Sequence, residues 1–212
     1  MMDLFVDCLF KPEVKSVHIK EPHFVAVKVP QFSFSRLKGA DPKPHVEMAS
    51  TGEVACFGKD VEEAYLKGFL AVGGRMPQKG IFISLAGEEK KDKFLRSIKQ
   101  LAKLELPLYA TDKTYKFLKK ADIPVTKVDK IQQRTNSNVL TLLREGKVDL
   151  VINIVDRNLP KDMKDGYAIR RGAIDNNVAL FTKIKNARLF IDAISKYKLT
   201  DLEIKSWGDY EK

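Results

Sequence analysis

The chain has 212 residues and a formal net charge of +10. Its composition, with 44% hydrophobic and 31% charged residues, excludes a disordered or fibrous protein. No apolar run approaches the roughly 20 residues of a membrane-spanning helix. The first ten residues carry Asp3 and Asp7 in place of a basic signal sequence. We therefore predict a soluble, cytoplasmic protein without a membrane partner.

The basic excess lies in the second part of the chain. Residues 1–79 contain 11 Lys and Arg against 10 Asp and Glu, whereas residues 80–212 contain 27 against 18. The lysines are scattered among acids and no nucleic-acid-binding motif accompanies them, so we expect a phosphate pocket and no nucleic-acid partner. Two cysteines, Cys8 and Cys56, are too few for a disulfide framework or a metal cluster.

The first 77 residues contain few regular patterns. Val25–Val29 predicts a short strand that Pro30 stops. The stretch Pro30–Gly58 carries scattered aromatic, glycine and proline residues, and we expect no long element there. It is too apolar for a linker, so it is predicted to pack on another part of the protein.

One helix is predicted in this region. Asp60 followed three residues later by Glu63 resembles a capping box, and apolar residues at helical spacing extend the helix over Val61–Val72, before Gly73. One strand and one helix cannot close a hydrophobic core, because each must bury a face against a second layer. The region is therefore predicted to be an incomplete piece of a larger unit.

The rest of the chain alternates short apolar runs with helical patterns. Strands are predicted at Ile81–Leu85, Leu106–Ala110, Val125–Val128, Leu150–Val155 and Ala179–Phe181, and helices at Lys91–Leu104, Lys113–Ala121, Val139–Glu145, near Tyr167–Ile174 and at Ala187–Tyr197. The alternation predicts an α/β fold with a doubly wound, five-stranded parallel sheet in a flavodoxin-like, three-layer arrangement. We place domain boundaries at 1–77, 78–200 and 201–212.

Candidate ligand-binding residues follow four of these strands. In open α/β sheets, ligands bind at the carboxyl ends of the strands. Six residues are predicted to lie at or after these strand ends: Lys93, Thr111, Lys113, Thr114, Lys130 and Asn153. They are lysines, two threonines at a helix N-terminus and one amide, which are groups that suit a phosphate monoester. The set predicts a phosphate site.

Each candidate also has a purely structural interpretation. Thr111 and Thr114 would serve equally as helix caps. Single lysines are ordinarily solvated, and Asn153 would serve to satisfy backbone groups at a strand end. Their joint position on successive strand ends favours the ligand site.

The same residues resemble a known family. Phe24–Gly58 resembles the end of the second ATP-binding half of the carbamoyl phosphate synthetase large subunit, and EMASTGEV at Glu47–Val54 is its most specific motif. From Gly80 the chain resembles the methylglyoxal-synthase-like regulatory domain that follows in that family. The matching pieces are ATDKT at Ala110–Thr114, VIN at Val151–Asn153 and YAIRRGA at Tyr167–Ala173.

The resemblance implies an allosteric, effector-binding module of a synthetase in pyrimidine or arginine biosynthesis. In the family this domain binds nucleotides, phosphoribosyl pyrophosphate or other effectors, and its phosphate contacts fall here on Lys93, Thr111, Thr114, Lys130 and Asn153. Lys113 replaces a family glycine, and Ile154-Val155 replace hydroxyl residues of bacterial members. The implied partners are the effector and the remaining large-subunit domains.

The resemblance implies no catalysis by this chain alone. The family's ATP-binding residues and metal ligands lie upstream of the matching region, so we expect no catalytic residue, cofactor or metal here, although the parent synthetase uses ATP and Mg. Neither Cys8 nor Cys56 has a recognisable base nearby, so a glutamine-hydrolysing role is not expected.

The alternative function is a methylglyoxal-synthase-like phosphate lyase. Such an enzyme needs a positioned acid or base. All three histidines precede the domain, which leaves Asp112, Asp129 and Asp156, for which we favour the role of solvated loop acids.

Two further features have structural interpretations. Adjacent helical residues point about 100° apart, so at most one of Arg170 and Arg171 faces a pocket, and an ion pair to the sheet or to the preceding region is favoured. Trp207 and Tyr210 are predicted to dock the C-terminal tail on the first region.

Overall fold

The computed structural model describes residues 6, 9–11, 21–42, 52–129, 131, 138–155 and 160–210, but not the side chains of 88–90, 160–164 and 207. The predictions for Cys8, Lys130, Asp156, the Trp207 side chain and most of the EMASTGEV motif lie outside the described residues. No helix within these ranges is long and apolar enough to cross a membrane.

From β3 onwards, strands and helices alternate along the chain as the sequence predicts. The strands are β1 (Val25–Gln31), β2 (Gly52–Gly58), β3 (Ile81–Leu85), β4 (Leu108–Thr111), β5 (Thr126–Val128), β6 (Leu150–Ile154) and β7 (Ala179–Phe181). The helices are α1 (Val61–Ala71), α2 (Glu88–Ala102), α3 (Asp112–Lys120), α4 (Val139–Arg144), α5 (Pro160–Asp175), α6 (Ile184–Lys196) and α7 (Trp207–Tyr210), with a 3₁₀ turn at Leu199–Asp201.

Strands β3 to β7 form one parallel sheet in the order β5-β4-β3-β6-β7. The chain therefore winds from β3 to one edge of the sheet and then crosses to β6 on the other side. The predicted five-stranded, doubly wound sheet is confirmed. Counted within the sheet, the strand order is 3-2-1-4-5, whereas flavodoxin itself has the order 2-1-3-4-5.

Hydrophobic side chains cover both faces of this sheet. The larger cluster joins one face to α2, α3 and α6 through buried residues such as Phe94, Leu118 and Phe190. The smaller cluster joins the other face to α4 and α5 through Phe82 and Ile169, among others. The side chains of consecutive strand residues point to opposite faces, which is why Phe82 and its neighbour Ile83 enter different clusters.

The hairpin region, which we define as β1, β2 and α1, packs beside this domain. β1 and β2 pair antiparallel from Val25 opposite Gly58 to Gln31 opposite Gly52. Our prediction that Pro30 ends the strand is wrong, because β1 continues to Gln31. We expected no long element between Pro30 and Gly58, and the seven-residue strand β2 was not predicted, because it is defined by its pairing with β1, a long-range contact that local sequence does not reveal.

Both ends of α1 follow the predicted signals. The Asp60 carboxylate accepts the Glu63 amide at 2.9 Å, while the Glu63 carboxylate accepts the Lys59 amide at 2.7 Å. The amides of Gly73 and Gly74 return to Leu70 and Phe69, which is the Schellman pattern, with Gly73 at φ +89°. The predicted helix is confirmed, and it ends one residue early, at Ala71.

Candidate functional site

The strand order reverses between β3 and β6, and we call the carboxyl ends of the strands at this point the crevice, after the place where doubly wound sheets bind ligands. Ser84 of β3 lies in register with Asn153 of β6, and the Ser84 and Thr111 hydroxyls lie 3.3 Å apart. Thr111, Ser84 and Asn153 thus form a row of polar side chains across β4, β3 and β6, which we call the polar row. It lies where doubly wound sheets bind ligands.

The loop after β3 borders the same crevice. The Ala86 amide donates to the Ile154 carbonyl at 2.8 Å, which keeps the chain beside β6 after the strand has ended. Gly87 then adopts φ +82° as the N-terminal cap of α2 and offers no side-chain cap. A positive φ is easily adopted by glycine, so this sharp turn fits the sequence at Gly87.

Thr111 and Thr114 have different roles. Thr111 occupies the N-cap position of α3, but its side chain makes no capping hydrogen bond and contacts Ser84 instead. Thr114 is fully buried, and its hydroxyl accepts the Leu85 amide at 3.0 Å and donates to the Leu85 carbonyl at 3.4 Å. Thr114 therefore fixes α3 to the end of β3, while Thr111 remains partly exposed at the crevice.

The N-terminus of α3 adds both positive and negative groups. Its free backbone amides favour an anion, and Lys113 in the first turn is exposed. Asp112 beside it pairs with Lys116 at 3.0 Å and Lys127 at 3.1 Å. Hydrogen bonds from these two lysines lower the Asp112 pKa, so its charge is retained and largely compensated. Asp112 is thus engaged by two lysines of the chain.

Asn153 is buried. The structural interpretation, in which its side chain satisfies backbone groups at the end of β6, does not apply. Its side-chain oxygen accepts a 3.1 Å hydrogen bond from Nη1 of Arg170 on α5. The helix approaches β6 closely at Gly166, where a Cβ atom in place of the glycine hydrogen would lie 2.6 Å from the Val155 side chain and 2.8 Å from Nη1 of Arg170. Arg170 carries no recognisable site motif, and sequence reasoning assigned it only an anchoring role.

The prediction for the arginine pair is confirmed. Arg170 forms an ion pair with Asp41 at 2.6 Å, which ties α5 to the preceding region. Arg171 donates to Asp175 on its own helix and to backbone carbonyls of the segment that precedes Asp41. Both guanidinium groups therefore anchor α5, and the sequence did not reveal which acid Arg170 would use.

The remaining predicted residues are less closely gathered. Lys93 lies exposed on α2 and Lys113 exposed on α3, whereas Thr111, Thr114 and Asn153 meet around the end of β3. Ser84 joins them and was missed, since a serine inside an apolar strand pattern gives little signal. No cluster of three or more His, Cys, Asp or Glu within the described ranges is placed to hold a metal ion.

A separate cleft lies away from the polar row. It has a volume of about 1270 Å³ and lies between β1, α1 and the loops around β7, with Phe69 and Phe181 among its lining residues. Among the described residues that line it, none is a predicted phosphate-binding residue. The polar side chains converge at the crevice, whereas the cleft opens between two packed regions.

The chain shows clear similarity to known proteins. Residues 93–182 match the family model "MGS-like domain". The multifunctional protein pyr1-3 of Dictyostelium discoideum is 44% identical over 181 residues, which are 83% of this chain and 8% of that protein. The mitochondrial carbamoyl-phosphate synthase [ammonia] of Rattus norvegicus is 40% identical over 182 residues, which are 84% of this chain and 12% of that protein.

Similar solved structures include a methylglyoxal synthase from Elizabethkingia anophelis NUHP1. It is 20% identical, has a TM-score of 0.43, and the match covers 64% of this chain and 91% of that one. The chain spans only about a tenth of the length of the curated relatives it matches. Residues 93–182 belong to the MGS-like domain family, and the chain is homologous to a segment of the carbamoyl-phosphate synthase [ammonia] proteins.

Proposed function

We propose that this chain is a regulatory module of a carbamoyl-phosphate synthase and binds a nucleotide or another phosphorylated metabolite in the crevice. The observation that carries the proposal is the polar row beside the α3 N-terminus. Two hydroxyls and an amide lie together there, and the N-cap hydroxyl is not used for capping. Phosphate oxygens accept hydrogen bonds from such groups and from helix amides.

Five of the six predicted contacts lie among the described residues and support this proposal to different degrees. Thr111 and Asn153 belong to the polar row, and exposed Lys113 lies in the first turn of α3. Lys93 is proposed to supply charge from α2, and Lys130, which follows β5 in the sequence and lies outside the described residues, is proposed to supply charge as well. Thr114 is proposed to act indirectly, because its hydroxyl is engaged with the Leu85 backbone.

The proposal is tested by binding of uridine monophosphate and of phosphoribosyl pyrophosphate, measured by calorimetry and by thermal shift. We expect at least one of them to raise the melting temperature at millimolar concentration, because a ligand that binds only the folded state stabilises it. Thr111→Val and Ser84→Ala should weaken that binding. An unchanged melting temperature with both ligands would contradict nucleotide binding.

A matched pair of lysine variants separates a general effect of positive charge on ligand binding from an effect at the proposed site. Lys185→Ala removes one positive charge from α6, which follows β7 at the edge of the sheet, and should leave ligand binding unchanged. Lys113→Ala removes one from the first turn of α3 and should weaken binding. Equal losses from both variants would indicate a diffuse charge effect without a defined site.

We further propose that the module acts on the other domains of a synthase, within pyrimidine or arginine synthesis and in the cytoplasm. Relatives in which this segment is about a tenth of the whole protein support a larger assembly. One relative is named as mitochondrial, so cell fractionation is needed to decide the compartment. Adding this chain to a synthase core without its own C-terminal domain should restore a response to the effector.

A further inference from the structure

A buried arginine links the polar row to the hairpin side of the molecule. Arg170 is 2% exposed, and its Nη1 donates to the Asn153 side-chain oxygen at 3.1 Å. Its Nε and Nη2 donate to the two carboxylate oxygens of Asp41, at 2.7 and 2.6 Å. Asp41 lies 129 positions from Arg170 in the chain, so one guanidinium group holds together two distant parts of the fold.

The chemistry of this contact fixes the orientation of the Asn153 amide. A guanidinium group has only hydrogen-bond donors, so the amide atom that faces Arg170 must be the oxygen. The NH₂ group of Asn153 is then the part that remains to donate to a ligand. A donor at this position suits an acceptor such as a phosphate oxygen, whereas a rotated amide would present its oxygen and repel one.

The position of Arg170 depends in turn on Asp41. A buried guanidinium group without a counter-charge is unfavourable, and the paired geometry with both carboxylate oxygens holds the side chain in one orientation. That carboxylate is not part of the sheet domain. It belongs to the segment between β1 and β2.

Other groups of α5 hold the same segment. The Tyr167 hydroxyl donates to the Gly39 carbonyl at 2.8 Å, and Nη1 of Arg171 lies 3.0 to 3.3 Å from the carbonyls of Phe34, Leu37 and Ala40. Residues 34–41, which we call the clamped segment, are therefore fixed by three side chains of one helix. Of these three, Arg170 is the one that also donates to the polar row.

We propose that Arg170 is a positioning residue that orients Asn153 for ligand binding, and that it couples the crevice to the clamped segment through Asp41. Phosphate binding at the crevice and order in the clamped segment then stabilise each other, because coupling between two sites is reciprocal. The ligand part rests on the proposed function, whereas the coupling through Arg170 is testable without any ligand.

The first experiment uses the ligand-free chain and the variant Asp41→Asn, a substitution at a partly exposed residue. We expect the side-chain amide signals of Asn153 to shift in the nuclear magnetic resonance spectrum. The matched control is Glu53→Gln, which removes the partner of Lys28 in the hairpin region and does not touch α5. Unchanged Asn153 signals in Asp41→Asn would overturn the coupling.

The opposite direction is tested with Asn153→Ala. The amides of Leu37 and Ala40 close turns within the clamped segment, and their hydrogen exchange reports its order. We expect exchange to become at least about fivefold faster, the lower end of typical coupling between sites. Thr111→Val should leave these rates unchanged. Equal rates in Asn153→Ala and the unaltered chain, with the β3 and β6 amides still protected, would also overturn the coupling.

The last experiment adds uridine monophosphate or phosphoribosyl pyrophosphate. Asp41→Asn should weaken binding about fivefold or more, while Glu53→Gln leaves it unchanged. If the unaltered chain binds neither ligand but Asp41→Asn still shifts the Asn153 signals, the proposed function fails and the coupling stands. If the chain binds a ligand and Asp41→Asn changes neither affinity nor signals, the coupling fails and the proposed function stands.

Discussion

The sheet domain and the hairpin region are held together by different means. Two clusters of buried hydrophobic residues fill both sides of the five-stranded sheet. The hairpin region has a two-stranded sheet of its own, and among the described residues its β1–β2 pair is covered on one side by α1. A two-stranded hairpin is marginal in water by itself. The hairpin region therefore depends for its stability on its contacts with the sheet domain.

Those contacts are both apolar and polar. Leu66 of α1 belongs to the main hydrophobic cluster, and the Phe69 ring lies 4.6 Å from that of Phe190. At the other end of α1, Asp60 accepts hydrogen bonds from Lys196 at 2.8 Å and from the Tyr197 hydroxyl at 2.6 Å. α1 is therefore the layer shared by both regions.

The largest effect is expected from truncation inside the sheet domain. Phe94→Ala should lower the free energy of unfolding by about 3–5 kcal/mol, because it opens a cavity in the main cluster. Val27→Ala in half-buried β1 should lower it by only about 1 kcal/mol. Denaturant unfolding measures both. Similar losses of stability in the two variants would contradict this contrast between the regions. They would make the hairpin region part of a single cooperative core.

An intermediate effect is expected from the two threonines of the crevice. Thr114→Val should lower the free energy of unfolding by about 1–3 kcal/mol, because it leaves the buried Leu85 amide without its partner. Thr111→Val removes a contact at a partly exposed site and should lower it by less than about 1 kcal/mol. The reverse order, measured by denaturant unfolding, would assign the structural role to Thr111.

A smaller effect than that of Thr114→Val is expected at the polar contact between the regions. Asp60→Ala should lower the free energy of unfolding by about 1–2 kcal/mol through loss of the N-cap, whereas Asp60→Asn retains a capping oxygen and should lose less. Thermal unfolding at neutral pH measures this difference. Equal losses would mean that the cap contributes little.

Asp60 also gives a specific pH dependence. Partial burial opposes ionisation, but hydrogen bonds from Lys196 and Tyr197 hold the Asp60 pKa well below its usual range. A carboxyl group with a lowered pKa stabilises the fold above its unfolded pKa, about 3.9, and that contribution is lost as the pH falls further. The stability difference between the unaltered chain and Asp60→Asn should therefore shrink below about pH 4. A constant difference would rule out this role of the charge.

The sheet domain was more predictable than the hairpin region for a physical reason. Its strands are short apolar runs and its helices are amphipathic, so local patterns located β3 and β7 to the residue and most helices within three residues. α5 was predicted too short, since it begins at Pro160, a residue favoured in the first turn of a helix. β2 was missed because its pairing with β1 is a long-range contact.

The positions of some candidate site residues were predictable for the same reason. Strand ends locate Thr111 and Asn153 from the sequence alone, because the carboxyl edge of a parallel sheet follows from the strand pattern. The sequence did not distinguish buried Thr114 from partly exposed Thr111, since both flank the same helix start. The contact of Arg170 with Asp41 joins residues 129 positions apart, and no local pattern encodes it.

The C-terminal tail packs against residues of the first region. The Tyr210 ring lies 5.4 Å from that of Phe24 and 5.5 Å from that of Phe57, and its hydroxyl donates to the Phe57 carbonyl 153 positions away. The predicted docking of the tail is confirmed for Tyr210. Closing so long a loop has a high entropic cost before any contact repays it. The contacts of Tyr210 with Phe24 and Phe57 should therefore form late in folding, after the sheet has assembled.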